Sequence, residues 1–186
     1  MCISLNILTL EGVKMNLQYD NARLSLKVLI SFFLIFVGLS YCLALVNIQN
    51  NMGLSYTGVV VHYRGDVKEA TDSPDLAFSK LIQEHHVHLF SLSILFLIIG
   101  LLFTFTNLPE FWKALFVGAP FVGMAMDFGG IWLTVFSSPV FGWLTVIFGA
   151  FMAFSFFMLI GRPLYEMWIL PIWEKKFNGK VPWYLR

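Results

Sequence analysis

The chain has 186 residues, 58% of them hydrophobic and 12% charged, with a mean hydropathy of +0.76. A soluble domain carries roughly a quarter charged residues, so a soluble enzyme is excluded. A formal net charge of +1, with no basic stripe interleaved with aromatics, gives no footing for a nucleic-acid partner.

The apolar residues gather into four runs of about 20, the length that crosses ~30 Å of hydrocarbon at 1.5 Å per residue. They cover residues 24–46, 86–106, 111–136 and 140–160. The predicted fold is therefore an all-α membrane protein: a four-transmembrane-helix bundle with an outside loop and a cytoplasmic interfacial C-terminal helix. Three parts follow in chain order: a tail over 1–22, the bundle over 23–160 with its loop at 47–85, and an interfacial tail over 161–186.

Residues 1–14 show no periodicity and read as a disordered extension, with Met15 as an alternative start. Cleavage of the first run as a leader is disfavoured, because Tyr41 stands where a small residue is needed before Cys42. Cys2 and Cys42 lie too far apart in this scheme to pair. Lys14, Arg23 and Lys27 precede the first run, Lys113 lies between the second and third, and Arg162, Lys175, Lys176, Lys180 and Arg186 follow the fourth. Nine of the twelve basic residues thus share one side, which the positive-inside rule makes cytoplasmic, with both termini there and the chain in the bacterial inner membrane.

The loop holds Arg64, Lys68 and Lys80 against Asp66, Glu69, Asp72, Asp75 and Glu84, as an outside segment should. Its apolar stretch from Gly58 to Tyr63 predicts a segment folded back onto the bundle mouth. Runs two, three and four are joined by very short connections and are antiparallel neighbours. After Gly161, the Arg162–Pro163 step followed by Tyr165, Trp168, Trp173, Trp183 and Tyr184 reads as an interfacial segment anchored by aromatics.

Asp127 is the one carboxylate inside a run, and a charge at bilayer depth costs at least ~2.5–3.5 kcal/mol unless paired or wet. It shares a helix face with Ala119 and Gly123, and Gly130 follows three residues on, so this face packs against protein. Counted from Phe111, Asp127 lies ~24 Å along the helix, near the outer boundary. Pro120 frees a carbonyl below it and can kink the helix.

All four histidines also belong to the outer half: His62 in the loop, and His85, His86 and His88 at the start of the second run. His85 and His88 share a helical face, and His88 is expected to meet Asp127 as a dyad. Two chemistries fit these residue types. A mononuclear copper, iron or zinc site would use His85, His88 and Asp127. A b-type haem needs axial ligands on opposite faces of the porphyrin, so His88 would be joined by His62 or Met124. Against both stands packing: histidines tolerate an interface, and Met124 and Met126 commonly fill cores. A third reading makes the chain an accessory subunit of a larger respiratory or photosynthetic complex, docked through its aromatic tail.

The stretches Gly53-Leu54-Ser55-Tyr56, His62-Tyr63-Arg64-Gly65 and His86-Val87-His88-Leu89-Phe90 resemble a family of small bacterial four-span membrane proteins. That family often carries a mistaken elongation-factor name and is found alongside multihaem cytochromes. The resemblance covers about residues 27–160. It implies a place in electron transfer across the cytoplasmic membrane, with cytochromes or other complex subunits, and a quinone, as partners. It also implies His86 with His88 as the functional pair, where helical geometry favours His85 with His88.

Overall fold

The computed structural model describes residue 19, residues 22–65 and residues 74–176. Readings that fall on residues 1–18, 66–73 and 177–186, including the N-terminal extension, the Met15 start, Trp183 and Tyr184, lie outside the described residues. Among the described residues four helices are long and apolar enough to cross a membrane, so the chain is a multi-pass membrane protein whose environment is a lipid bilayer.

Helix α1 spans Leu24–Asn51 and is apolar all round, the mark of a helix that faces lipid over most of its circumference. It ends where the amides of Met52 and Gly53 both donate to the Ile48 carbonyl, at 2.9 and 3.0 Å, and Gly53 then turns with φ +80°. A side chain would be strained there, and glycine is not. The short helix α2, Tyr56–Val60, starts at Ser55, whose Oγ accepts the Gly58 amide at 3.1 Å. It passes directly into a π-turn, Val61–Gly65. Together they fold back onto the bundle, as the apolar stretch Gly58–Tyr63 predicts: α2 lies on the helix that begins at Gly142, and the π-turn lies on the third span.

Helix α3 spans Pro74–Thr104, with proline in its first turn, where the missing amide is harmless. Helix α4 spans Glu110–Phe136. Helix α5, Gly142–Leu164, is entered through a 3-10 turn at Pro139–Phe141. Two boundaries differ from the sequence reading. Helix α3 begins a dozen residues before His86, with the part apolar enough to span starting at Phe78. The helix of the fourth span runs on past Ile160: a π-turn, Tyr165–Ile169, carries it past Pro163 into α6, Leu170–Lys176. A π-turn re-registers the ladder by one residue, and this absorbs the proline that otherwise reads as a stop.

The tightest pairing is α4 with α5. A Cβ added to Gly123 would stand 2.9 Å from Met152 Cβ, and one added to Gly130 would stand 2.8–2.9 Å from Thr145 Oγ1, Leu144 Cβ and the Thr145 amide nitrogen. Glycines two turns apart therefore let the helices approach to near backbone contact, the usual basis of helix association where lipid removes the hydrophobic drive. The stripe Ala119–Gly123–Gly130 is buried as expected. Phe96, Ile99 and Phe103 of α3, Met124 of α4, Met152, Phe156 and Leu159 of α5 and Leu34 of α1 make the core. Tyr41 of α1 stacks on Phe156 at 4.1 Å. Leu29, Phe32, Phe36, Phe90 and Leu97 point outward, as lipid-facing side chains do.

Both ends of the described chain lie at one end of the bundle, the terminal end, opposite the loop end that carries α2. At the terminal end Glu166, fully buried, receives Arg162 Nε at 2.6 Å and the Asn107 amide at 2.8 Å. The Tyr19 hydroxyl donates to the Leu102 carbonyl at 2.5 Å, and Trp168 Nε1 donates to Ser31 Oγ at 2.8 Å. Burial, followed by the Glu166 carboxylate, holds the Tyr19 phenol well above its ordinary range, so it remains a donor.

Candidate functional site

Asp127 sits 17 residues beyond Glu110, about 26 Å along α4, in the loop half of the bundle. Its side chain is turned toward α5, where a Cβ built on Gly149 would stand 3.8 Å from Oδ1. Its main-chain carbonyl accepts Thr145 Oγ1 at 3.2 Å, so that hydroxyl is committed to backbone. Among the described residues Asp127 Oδ1 is the one buried side-chain nitrogen or oxygen with no hydrogen-bond partner. Ion pairs of the described residues form elsewhere, between Lys113 and Glu110 and between Arg162 and Glu166. Two phenols lie within electrostatic range of the carboxyl group, Tyr41 from α1 and Tyr63 from the π-turn. Among the described residues the acid thus has α5 against it and two phenols in electrostatic range, and it forms no ion pair: Gly149 leaves room on α5, Tyr41 is held by Phe156, and the π-turn rests on α4.

His85 is a separate centre. It is 6% exposed, its ring lies flat on Phe128 at 4.6 Å, and its Nδ1 accepts Trp132 Nε1 at 2.6 Å. An indole nitrogen only donates, so the His85 proton is assigned to Nε2 by this bond. That tautomer cannot ligate a metal: Nε2 carries the proton, and moving it to Nδ1 would set two N–H groups against each other.

The structure does not bring the predicted sets together. His88 and His86 are exposed on α3, and the expected hydrogen bond from His88 to Asp127 is not formed at Oδ1. The reason is rotational: α3 turns His85, not His88, toward α4, where Phe128 and Trp132 receive it. Among the described residues no three His, Cys, Asp or Glu side chains converge on a metal-sized space. His85, His88 and Asp127 are thus not brought together as one group. Met124 is 5% exposed within the apolar core, whereas His62 is half-buried in the π-turn with its ring edge-on to Tyr63 at 4.9 Å. Met124 and His62 thus lie in different surroundings, one in the core and one in the π-turn, while His86 and His88 are exposed on α3.

Two features were missed from the sequence, Glu166 with Arg162 and Tyr63 beside Asp127. The first had a signal in its i, i+4 spacing. The second had none, because the π-turn sets the direction of Tyr63.

Residues 53–174 match a family described as a transmembrane helical domain. The chain belongs to this family, Aq_1264_TM. No curated protein and no solved structure matches the chain. The Aq_1264_TM domain begins at Gly53, the turn that ends α1, and takes in the folded-back segment, α3, α4, α5 and most of α6. Asp127, Tyr63, His85, Trp132, Arg162 and Glu166 all lie within it, and Tyr41 lies outside, on α1.

Proposed function

We propose that this Aq_1264_TM protein is a membrane subunit that takes up and releases a proton at Asp127. The observation that carries this reading is the buried, partnerless Oδ1. An isolated carboxylate taken out of water is costly, and an acid kept in a membrane bundle without a cation or donor serves best where it exchanges a proton. The step is simple in balance: a proton from the aqueous side adds to the carboxylate to give the neutral acid, and its return regenerates the carboxylate. Gly149 and Thr145 support the role by leaving the carboxyl oxygen unsatisfied. The positive-inside count sets the loop end outside and both termini in the cytoplasm. Labelling of a Thr57→Cys variant in intact cells with an impermeant reagent checks that orientation, which protection of the site would reverse.

Infrared difference spectroscopy of the reconstituted protein across a pH step tests the function. The wild-type protein should show the carbonyl stretch of a protonated carboxyl group, and Asp127→Asn should remove it. Persistence of that band in the variant, or its absence from the wild type at every pH, overturns the reading.

A second reading follows from His86 and His88, two imidazoles exposed on α3 in a turn where Val87, Leu89 and Phe90 are exposed too. Polar side chains rarely face lipid, so a second protein against this part of α3 fits the accessory-subunit role in an electron-transfer complex. A b-type haem or metal held by either histidine would then take its remaining ligands from that partner, a cytochrome or another subunit, with quinone as the carrier such a complex serves. The absorption spectrum of the reduced complex, compared with that of the chain purified alone, tests it: a Soret band lost with His86→Ala or His88→Ala supports shared ligation, and a band unchanged by both rejects it.

A further inference from the structure

The segment from Gly53 to Gly65 stands between Asp127 and the loop end. Its hinge is Gly53, with φ +80°. Gly58 passes so close to the end of α1 that an added Cβ would stand 2.1 Å from the Met52 carbonyl oxygen, so the fold-back depends on that glycine as well. The seat on α5 is apolar and aromatic. Tyr56 stacks on Trp143 at 5.0 Å, and Val60 and Tyr56 rest where Gly142 lacks a side chain, 3.1 and 3.4 Å from where its Cβ would be. Val59, at the middle of the segment, is 1% exposed. The π-turn that follows rests on α4 and carries Tyr63 into range of Asp127.

We propose that the folded-back segment is a gate over Asp127, hinged at Gly53 and seated on Gly142, and that Tyr63 is the residue through which water and protons reach the acid. This rests on Asp127 being the working site. The glycine seat and the aromatic stack close the segment without covalent or ionic ties to α5, so it can lift as one piece while the four spans stay packed. Burial first, then the carboxylates of Asp127 and of exposed Glu84 on α3, push the Tyr63 phenol up to about 12. It therefore stays an uncharged hydroxyl, able both to donate and to accept, on the π-turn that rests on α4.

The test is the reactivity of a thiol placed beside Asp127. Gly149→Cys fits, because nothing but the Asp127 carboxyl group comes within 4 Å of its Cβ position; Cys2 and Cys42 are first replaced by serine. A small water-soluble thiol reagent is added from the loop side to the reconstituted full-length chain. Labelling should be slow in this background. It should rise by about tenfold when Gly142→Leu unseats the segment or Tyr63→Ala removes the plug, since the rate follows the fraction of open molecules. Equal rates in all three proteins, no labelling in any, or fast labelling in the background overturn the gate. If Gly142→Leu fails to fold, Tyr63→Ala decides alone. The readout does not involve the Asp127 proton. Loss of the infrared band with labelling intact would remove the proton reading, and gating of labelling would still stand.

Discussion

The two ends of the bundle treat a buried acid in opposite ways. At the terminal end Glu166 is fully buried, yet both its oxygens are engaged, by Arg162 and by the Asn107 amide. In the loop half Asp127 is partly buried, and its Oδ1, buried beside Gly149 of α5, has no partner among the described residues. The same functional group is therefore an assembly device in one place and a burden on stability in the other. Satisfied polar networks define a unique packing, and an unsatisfied group raises the free energy of the fold. Where a chain retains both, the satisfied one explains how helices dock and the unsatisfied one marks where the protein works.

Substituting Glu166 should do the most damage. Glu166→Leu leaves the Arg162 guanidinium without its carboxylate and the Asn107 amide without that acceptor, and removing one partner of a buried pair costs about 3–5 kcal/mol. Thermal unfolding in detergent should show it. Replacing both, as Arg162→Met with Glu166→Met, should recover most of the loss, because an apolar pair avoids the stranded charge. If the single and double variants unfold alike, the pair is not what holds the terminal end.

Gly130→Ala should follow, at about 1–3 kcal/mol, the range for overpacking a tight contact. Its new Cβ would meet the Thr145 amide nitrogen and the Leu144 Cβ, both fixed by α5, at 2.9 Å. Gly118→Ala on the same helix meets nothing within 4 Å and should be neutral or slightly stabilising. Equal melting temperatures for the two variants would mean that α4 and α5 are not in near backbone contact.

Asp127→Ala sharpens the comparison most, because its sign should be reversed. Removing an unsatisfied buried acceptor relieves a penalty of about 1–3 kcal/mol, so the variant should unfold at a higher temperature while losing the carboxyl infrared band. A destabilised Asp127→Ala protein would show that the acid has a partner and that the two ends are alike.

The four spans, the short turns and the glycine stripe were legible in the sequence because hydropathy and small-residue spacing are local properties. So was the fold-back, whose apolar stretch Gly58–Tyr63 needs cover. The start of α3 was not: Asp75, Lys80 and Glu84 make its first turns look like loop in the sequence. The error moved His85 from the interior of a helix to its beginning and left its rotation undetermined. Asp127 was legible as an oddity, but its lack of a partner depends on where Tyr63, Gly149 and Thr145 arrive from other elements. Glu166 was hidden by Pro163, which reads as an end to the helix until the π-turn is seen to carry the chain past it.

The smallest expected effect concerns the hydrogen bond between Trp132 and His85 in the loop half. Trp132→Phe keeps an aromatic ring against Phe78 and Phe136 and removes only the donor to His85 Nδ1. Hydrogen bonds between membrane helices are worth about 0.6 kcal/mol on average and up to about 1.7, so the melting temperature should move little. The more telling readout is the imidazole itself. With the indole gone, Nδ1 is free to take the proton, and nitrogen-15 chemical shifts of the His85 ring should lose the single Nε2–H pattern of the wild type. If the wild type already shows both tautomers, the Trp132 bond is not formed in the bilayer, and His85 returns to the set of histidines able to ligate a metal. If it shows Nε2–H alone and the variant does not, the loop half holds a satisfied polar side-chain pair beside an unsatisfied acid. The open valence then belongs to Asp127 and is not a general looseness of that end of the bundle.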